Sequence, residues 1–158
     1  MSESIDLSGL TAGDIMQKDV VTIRDDATMQ DLAELLSKHR ISGVPVIDSE
    51  DRVVGIATEG DLVSIDADIH FPHYIQFLDS VIFLESVKKF DERLRKAAAY
   101  RVRELMTTDV VTVQQDEPVE KVATLMTDKE VNRLPVLDGD TLVGIVTRAD
   151  VVRAMSRI

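Results

Sequence analysis

Cysteine is absent from the 158 residues. Without thiols, the chain has no disulfide framework, no thiolate nucleophile and no zinc site that depends on sulfur ligands. Long apolar runs are also missing: the longest covers residues 81–84, whereas a membrane-spanning helix needs about 20 apolar residues. The N-terminus shows no apolar run of the signal-peptide type. We therefore expect a globular protein in the cytoplasm, without contact with a membrane.

Positive charge is scarce, since 18 Lys and Arg stand against 29 Asp and Glu and the net charge is -11. Such a chain repels nucleic acid, because non-specific binding to it needs a basic face. Basic residues crowd only between Lys88 and Arg103, where Asp91 and Glu92 oppose them. The solvated face of a helix is the simplest interpretation of that patch. A docking site for an acidic partner is a weaker hypothesis, and a nucleic-acid role is weaker still.

Two stretches carry the same pattern. Residues 54–61 read Val-Gly-Ile-Ala-Thr-Glu-Gly-Asp, and residues 143–150 read Val-Gly-Ile-Val-Thr-Arg-Ala-Asp. Each predicts a buried strand followed by a Thr-x-x-Asp capping box that opens a helix. The turn between them leaves backbone N–H groups and the positive end of the helix dipole available for a phosphate. A single Thr-x-x-Asp is usually only a helix cap, but its repetition favours a binding site for a sugar phosphate.

The surrounding elements repeat as well, at an offset of 90 residues up to the second Pro-Val strand and of 89 residues after it. Each copy reads extended segment, helix, strand, strand, helix. The sequence therefore predicts an α/β (α+β) fold with repeats at 11–63 and 101–158, a loose N-terminus at 1–10 and an insertion at 64–100. Because each repeat is too small to be stable alone, we expect the two to pack with pseudo-twofold symmetry.

The repeated residues resemble the signature of the cystathionine β-synthase (CBS) domain. The resemblance rests on Val44-Pro-Val-Ile-Asp48 with Gly55-Ile-Ala-Thr-Glu-Gly-Asp61, and on Leu134-Pro-Val-Leu-Asp138 with Gly144-Ile-Val-Thr-Arg-Ala-Asp150. Two copies in tandem resemble a Bateman module. Nearly the whole chain takes part, except residues 1–10 and the middle segment.

This resemblance implies a regulatory module that binds AMP, ADP, ATP or S-adenosylmethionine in clefts between the repeats and requires no cofactor. Asp61 and Asp150 would accept hydrogen bonds from ribose hydroxyls, and Thr58 and Thr147 would meet ribose or phosphate. Carboxylates pair well with vicinal hydroxyls, and apolar strand edges can enclose an adenine. Backbone groups that would hold the base lie near Thr22, Val44, Pro45 and Val46 in the first repeat, and near Thr112, Leu134, Pro135 and Val136 in the second.

The two pockets should differ in their affinity for phosphate. Arg148 follows Thr147, and Arg133 precedes the second Pro-Val strand, so both could donate bidentate hydrogen bonds to phosphate. Glu59 follows Thr58 and would repel phosphate, although Arg40 could compensate. We therefore expect the second pocket to be the better nucleotide site. Solvated surface charge remains the alternative interpretation of these arginines.

The middle segment contains all six aromatic residues of the chain, between Phe71 and Tyr100. Apolar residues from Tyr74 onward recur at helical spacing, which predicts one long helix or two shorter ones. Residues 74–84 are apolar on more than one face of such a helix, which must then be covered on two sides. A homodimer interface through residues 74–94 is the favoured hypothesis. Covering of the module's own core is the alternative.

No catalytic constellation is visible, so we expect a non-enzymatic regulator that signals by conformational change to a partner in trans. That effector protein is not identified by the sequence. A scaffolding homodimer without ligand is the main alternative. A metal-dependent enzyme that uses His70 and His73 is a weaker one, because two histidines without a carboxylate partner are poor evidence for a metal site.

Overall fold

The computed structural model describes residues 7, 9–66, 74–77, 80–83 and 100–157. Its helices are α1 (Ala12–Ile15), α2 (Met29–His39), α3 (Glu59–Asp66), α4 (Val102–Leu105), α5 (Val119–Asp128) and α6 (Arg148–Met155). Its strands are β1 (Ile23–Arg24), β2 (Gly43–Ile47), β3 (Val53–Thr58), β4 (Tyr74–Phe77), β5 (Ser80–Phe83), β6 (Val113–Gln114), β7 (Arg133–Asp138) and β8 (Thr141–Thr147). The predicted α+β class and the order of elements in each repeat are confirmed.

The chain forms two compact units. Unit 1 comprises Met1–Val21, Ser49–Val53 and Asp109–Ile158, and unit 2 comprises Thr22–Asp48 and Val54–Thr108. Unit 1 contains a sheet of order β6-β7-β8, and β1, β2 and β3 form the sheet associated with unit 2. The N-terminal part of the first repeat therefore belongs to the unit of the second repeat. Residues 100–108 likewise belong to unit 2, which contains most of the first repeat.

In unit 2, β1 and β2 are parallel, with Ile23 opposite Val46. The helix that joins them, α2, begins at the cap Thr28, whose side chain accepts a hydrogen bond from the Asp31 N–H. It ends at Arg40, which adopts the left-handed conformation with φ 52°. Leu32 and Leu36, which lie on one face of α2 at helical spacing, are buried. Val44, Val46, Ala57 and Val102 are also fully buried among the described residues of this unit.

Unit 1 repeats this plan. Val113 of β6 lies opposite Val136 of β7 in a parallel pair, and β7 forms an antiparallel hairpin with β8. The turn is short because Gly139 adopts φ 61°, a conformation that few other residues tolerate. One apolar core collects the inward faces of the sheet and of the helices: Leu7, Ala12, Val113, Val119, Val122, Met126, Leu134, Val136, Val146, Val151 and Ala154.

Backbone hydrogen bonds attach the leading segment of each repeat to its unit. In unit 1 the Ala12 N–H donates to the Glu117 carbonyl at 2.8 Å, and Gln17 exchanges two backbone hydrogen bonds with Ile145. In unit 2 the Val102 N–H donates to the Ala27 carbonyl at 2.8 Å, and Thr107 exchanges two with Ile56. These contacts place Gln17 beside β8 and Thr107 beside β3.

A methionine packs on a glycine at both of these places. Met16 lies on Gly144, and a Cβ built on this glycine would be 2.7 Å from Met16 Cγ. Met106 lies on Gly55 in the same way, with its Cγ 2.8 Å from such a Cβ. Because no side chain fits between strand and methionine, the glycine of the repeated Gly-Ile-x-Thr segment is a packing requirement.

The predicted helix over residues 74–84 is wrong where the structure describes it. Tyr74–Phe77 and Ser80–Phe83 are antiparallel strands, with Tyr74 opposite Phe83 and Phe77 opposite Ser80. Short apolar runs do not distinguish a buried helix from strands by periodicity, and aromatic and β-branched residues favour strands. Residues 84–94 of the predicted helical interface lie outside the described residues. Dimerisation through this segment stays a prediction.

Candidate functional site

The two Thr-x-x-Asp turns lie at the junction of a strand and a helix, one in each unit. In unit 2, β3 ends at Thr58 and α3 begins at the next residue. Asp61 Oδ2 accepts hydrogen bonds from the Thr58 N–H at 2.8 Å and from the Thr58 hydroxyl at 3.2 Å. The Thr58 hydroxyl also accepts one from the Asp61 N–H at 3.3 Å. This reciprocal capping box fixes the carboxylate at the positive end of the α3 dipole.

In unit 1 the same box joins β8 to α6. Asp150 Oδ2 accepts hydrogen bonds from the Thr147 N–H at 2.8 Å and from the Thr147 hydroxyl at 2.9 Å. Asp150 Oδ1 forms an ion pair with Arg153 at 3.0 Å. The side-chain amide of Gln17 donates to both carboxylate oxygens, at 3.3 Å and 3.2 Å. Asp150 is consequently buried, with 2% of its surface exposed, and its charge is held by three other side chains.

Capping boxes of this type also open α1 and α2, through Thr11 with Asp14 and Thr28 with Asp31. In both, hydrogen bonds from the threonine N–H and hydroxyl hold the pKa of the aspartate below its ordinary value. The capping geometry is therefore not specific to a ligand site. What distinguishes Asp61 and Asp150 is their place directly after a strand of a three-stranded sheet.

The structure brings each predicted set of base-binding residues into one unit. In unit 2, Thr22 precedes β1, and Val44, Pro45 and Val46 lie in the neighbouring strand β2. In unit 1, Thr112 precedes β6 and residues 134–136 lie in β7. The side chains at 44–46 and 134–136 are fully buried. A base could therefore meet these residues only through their backbone groups, as the sequence resemblance implies.

The three arginines lie in different surroundings. Arg40 caps α2 and lines, with Glu59, a groove of about 430 Å³ between α2 and α3, whose lining includes neither Thr58 nor Asp61. Arg148 is the exposed first residue of α6, and its N–H donates to the Asn132 carbonyl at 3.1 Å. Arg133 is half-buried in β7, opposite Thr147. Of the three, Arg133 and Arg148 lie beside a Thr-x-x-Asp turn.

Gln17 and Arg153 are site residues that the sequence interpretation missed. Arg153 has a local signal, because an arginine three residues after an aspartate on one helix can pair with it. For Gln17 the sequence offers only an indirect signal. Its counterpart at the offset of 90 residues is Thr107, whose side chain is shorter, so the two repeats differ at this position. Its contact with Asp150 spans 133 residues of chain and follows from the placement of residues 11–17 in unit 1.

The described residues contain no group of three or more His, Asp or Glu side chains that could hold a metal ion. His70 and His73, the predicted candidates, lie outside the described part of the chain. Within that same part, no helix is long and apolar enough to cross a bilayer.

Comparison with known sequences supports the predicted resemblance. The family model described as "CBS domain" matches residues 12–68 and 102–157. The uncharacterized protein MJ1426 of Methanocaldococcus jannaschii is 32% identical over 150 residues, which make up 90% of this chain and 89% of that protein. Inosine-5'-monophosphate dehydrogenase of the same organism is 30% identical over 143 residues, but the match spans only 23% of that enzyme.

Solved structures agree with this finding. The CBS domain pair of protein MJ0100, in complex with 5'-methylthioadenosine and S-adenosyl-L-methionine, superposes with a TM-score of 0.71 at 26% identity, covering 94% of this chain and 97% of that one. CBSX2 in complex with AMP gives a TM-score of 0.71 at 28% identity, covering 94% of this chain and 98% of that one. The prediction of a tandem CBS pair is thereby confirmed.

Proposed function

Since the chain belongs to the CBS domain family, we propose that it is a non-catalytic regulatory module that binds an adenosine-containing ligand at its Thr-x-x-Asp turns. The ligand class is AMP, ADP, ATP or S-adenosylmethionine. Two similar CBS pairs were solved with ligands of this class, one with AMP and one with S-adenosylmethionine and 5'-methylthioadenosine. The adenosine moiety is common to all of them.

The Asp61 carboxylate carries the proposal. Thr58 holds Oδ2 through two hydrogen bonds, and no described residue donates a hydrogen bond to Oδ1. Asp61 is half-buried, so the protein orients its carboxylate while part of the residue is still open to solvent. Vicinal ribose hydroxyls are well suited to such an acceptor, because hydrogen bonds to a charged group are stronger than neutral ones.

The remaining parts of the ligand would be bound by neighbouring groups of the same turn. We propose that Thr58 meets ribose or phosphate and that backbone groups near Thr22 and of residues 44–46 hold the adenine. In unit 1, Thr147 and Asp150 with Thr112 and residues 134–136 would have the same roles. Arg133 and Arg148 would donate to phosphate there.

Signal output is the second part of the proposed function. Ligand binding at a strand-to-helix turn orders the first turn of the helix and so favours one conformation of the module over another. A separate effector protein would recognise that conformation, which couples ligand concentration to the activity of the effector.

A thermal-shift panel tests the proposal. A ligand at about 100 times its dissociation constant stabilises the native state by about 2.7 kcal/mol, which raises the midpoint of unfolding measurably. We expect AMP, ADP, ATP or S-adenosylmethionine to raise it and GMP to have a smaller effect. Asp61→Ala should remove the part of the shift that binding at the first turn causes.

Asp31→Ala is the matched control, since it removes the aspartate of an equivalent capping box that opens α2. It should lower the midpoint without ligand but leave the ligand-induced shift unchanged. Equal loss of the shift in Asp31→Ala and Asp61→Ala would mean that helix capping alone explains the effect. No shift with any of the adenosine compounds would refute the proposal and favour a scaffold without ligand.

A further inference from the structure

We propose that Gln17 closes the second Thr-x-x-Asp turn, so that Asp61 is the ligand site of the chain as it stands and Asp150 is a latent one. This inference rests on the proposed adenosine binding and specifies which of the two turns performs it. It reverses the preference for the second pocket that the arginine positions suggested.

The acceptor capacity of Asp150 is already used. A carboxylate offers about four lone-pair sites. Asp150 receives the Thr147 N–H, the Thr147 hydroxyl, the Arg153 guanidinium and the bifurcated Gln17 amide. Only 1% of its side chain is exposed to solvent. A ribose therefore cannot add its hydroxyls to Asp150 unless a protein donor leaves first.

Gln17 is the donor that can leave. Thr147 stays bonded to Asp150, because the two residues form the capping box that opens α6. The Gln17 side chain, in contrast, belongs to an exposed residue, and its hydrogen bonds of 3.2 and 3.3 Å are longer than those of Thr147 to the same carboxylate. Displacement of the amide would exchange one donor for two ribose hydroxyls, so Gln17 competes with the ligand for the same oxygens.

Among the described residues of unit 2, the corresponding place lacks such a donor. Thr107 occupies the position of Gln17 and exchanges the same pair of backbone hydrogen bonds, with Ile56 instead of Ile145. Ser64 occupies the position of Arg153 and donates instead to the Gly60 carbonyl at 2.8 Å. The backbone pattern is thus the same in both units, and two side-chain differences separate the turns. Asp150 receives hydrogen bonds from Gln17 and Arg153, whereas Thr107 and Ser64 donate none to Asp61.

Reciprocal exchange of these two residues tests the inference, with AMP as the probe and isothermal titration calorimetry as the measurement. We expect wild type to bind one AMP per chain, at Asp61. Gln17→Thr copies unit 2 at this position and should add a second site, because the ribose then no longer competes with the amide for the carboxylate. Loss of a competing hydrogen bond to a charged group should raise the affinity about tenfold or more. Thr107→Gln copies unit 1 and should weaken the first site by a similar factor.

Two further variants assign the sites. Asp61→Ala should abolish AMP binding in the wild-type background, and Asp61→Ala with Gln17→Thr should regain one site per chain. Thr107→Ser keeps a short hydroxyl side chain and should bind like wild type. Because Gln17 and Thr107 are exposed, substitutions at these two positions should leave the fold intact. Circular dichroism verifies this for every variant.

The possible failures are distinguishable. Two AMP sites in wild type, or one site that Asp150→Ala rather than Asp61→Ala removes, would overturn the role of Gln17 and leave adenosine binding standing. An unchanged single site in Gln17→Thr would do the same. Absence of AMP binding in wild type and in Gln17→Thr, together with no response to S-adenosylmethionine, would overturn the proposed function and this inference with it.

Discussion

Replacement of Gly144 by alanine tests whether the leading segment of the first repeat is packed into unit 1. Gly144 is buried in β8 opposite Val136, and the added Cβ would overlap the sulfur of Met16 and lie 2.7 Å from its Cγ. Met16 is a flexible side chain, but the backbone bonds between Gln17 and Ile145 hold its segment in place. Overpacking of this kind costs about 1–3 kcal/mol. We expect Gly144→Ala to lower the free energy of unfolding by this amount in urea denaturation.

A double-mutant cycle identifies the cause of that loss. In a Met16→Ala background the clash is removed, so Gly144→Ala should then cost less than about 0.5 kcal/mol, as a substitution that creates no clash does. Gly60→Ala is the control, because its Cβ would lie 3.4 Å from the Thr58 hydroxyl, an ordinary contact distance. Equal costs of Gly144→Ala in both backgrounds would refute the contact between Met16 and Gly144, and with it the placement of residues 11–17.

Further predictions concern the core and the response to acid. Leu134 is fully buried in β7, so Leu134→Ala should destabilise the chain by about 2–5 kcal/mol in urea denaturation, and a loss below about 1 kcal/mol would contradict its place in the core. Hydrogen bonds from the Thr28 N–H and hydroxyl lower the pKa of Asp31 in the folded state below 3.8. The ionised carboxylate therefore stabilises the fold above that pH. This contribution is lost as the pH falls through the lowered pKa. The stability difference between wild type and Asp31→Asn should accordingly be larger at about pH 6 than at about pH 3; a difference independent of pH would contradict this cause.

Much of the fold follows from local pattern. In each repeat the Pro-Val strand and the Gly-Ile-x-Thr strand lie between two helices. The helix starts at Thr11, Thr28, Thr58 and Thr147 carry capping signals. The helix over Met29–His39 with its cap Thr28 is an example in which spacing and capping agree with the structure. Local agreement of this kind made the repeat and its element order predictable.

The distribution of segments between the units was not predictable in this way. The contacts of residues 11–17 with β8 and with the start of α5 join positions more than 100 residues apart, and no local pattern encodes them. The contact between Gln17 and Asp150 depends on this placement. The sequence interpretation therefore compared the two turns by their adjacent charges, Glu59 and Arg148, and no local pattern could show that Gln17 donates to Asp150.

The prediction of a helix over residues 74–84 was wrong for a different reason. The apolar residues of this segment fit a helix and a pair of strands equally well over four-residue runs, so periodicity could not decide between them. The aromatic and β-branched composition of 74–83 was the better guide to strands.

A crystal structure of the chain grown with AMP is the most direct test of adenosine binding at the first turn. We expect the ribose hydroxyls to lie within hydrogen-bond distance of Asp61 Oδ1, with Thr58 still bonded to Oδ2 and the Gln17 amide still on Asp150. AMP bound at Asp150 with Gln17 displaced, while Asp61 has no ligand, would contradict the assignment of the site. AMP bound away from both turns would contradict the proposed function itself.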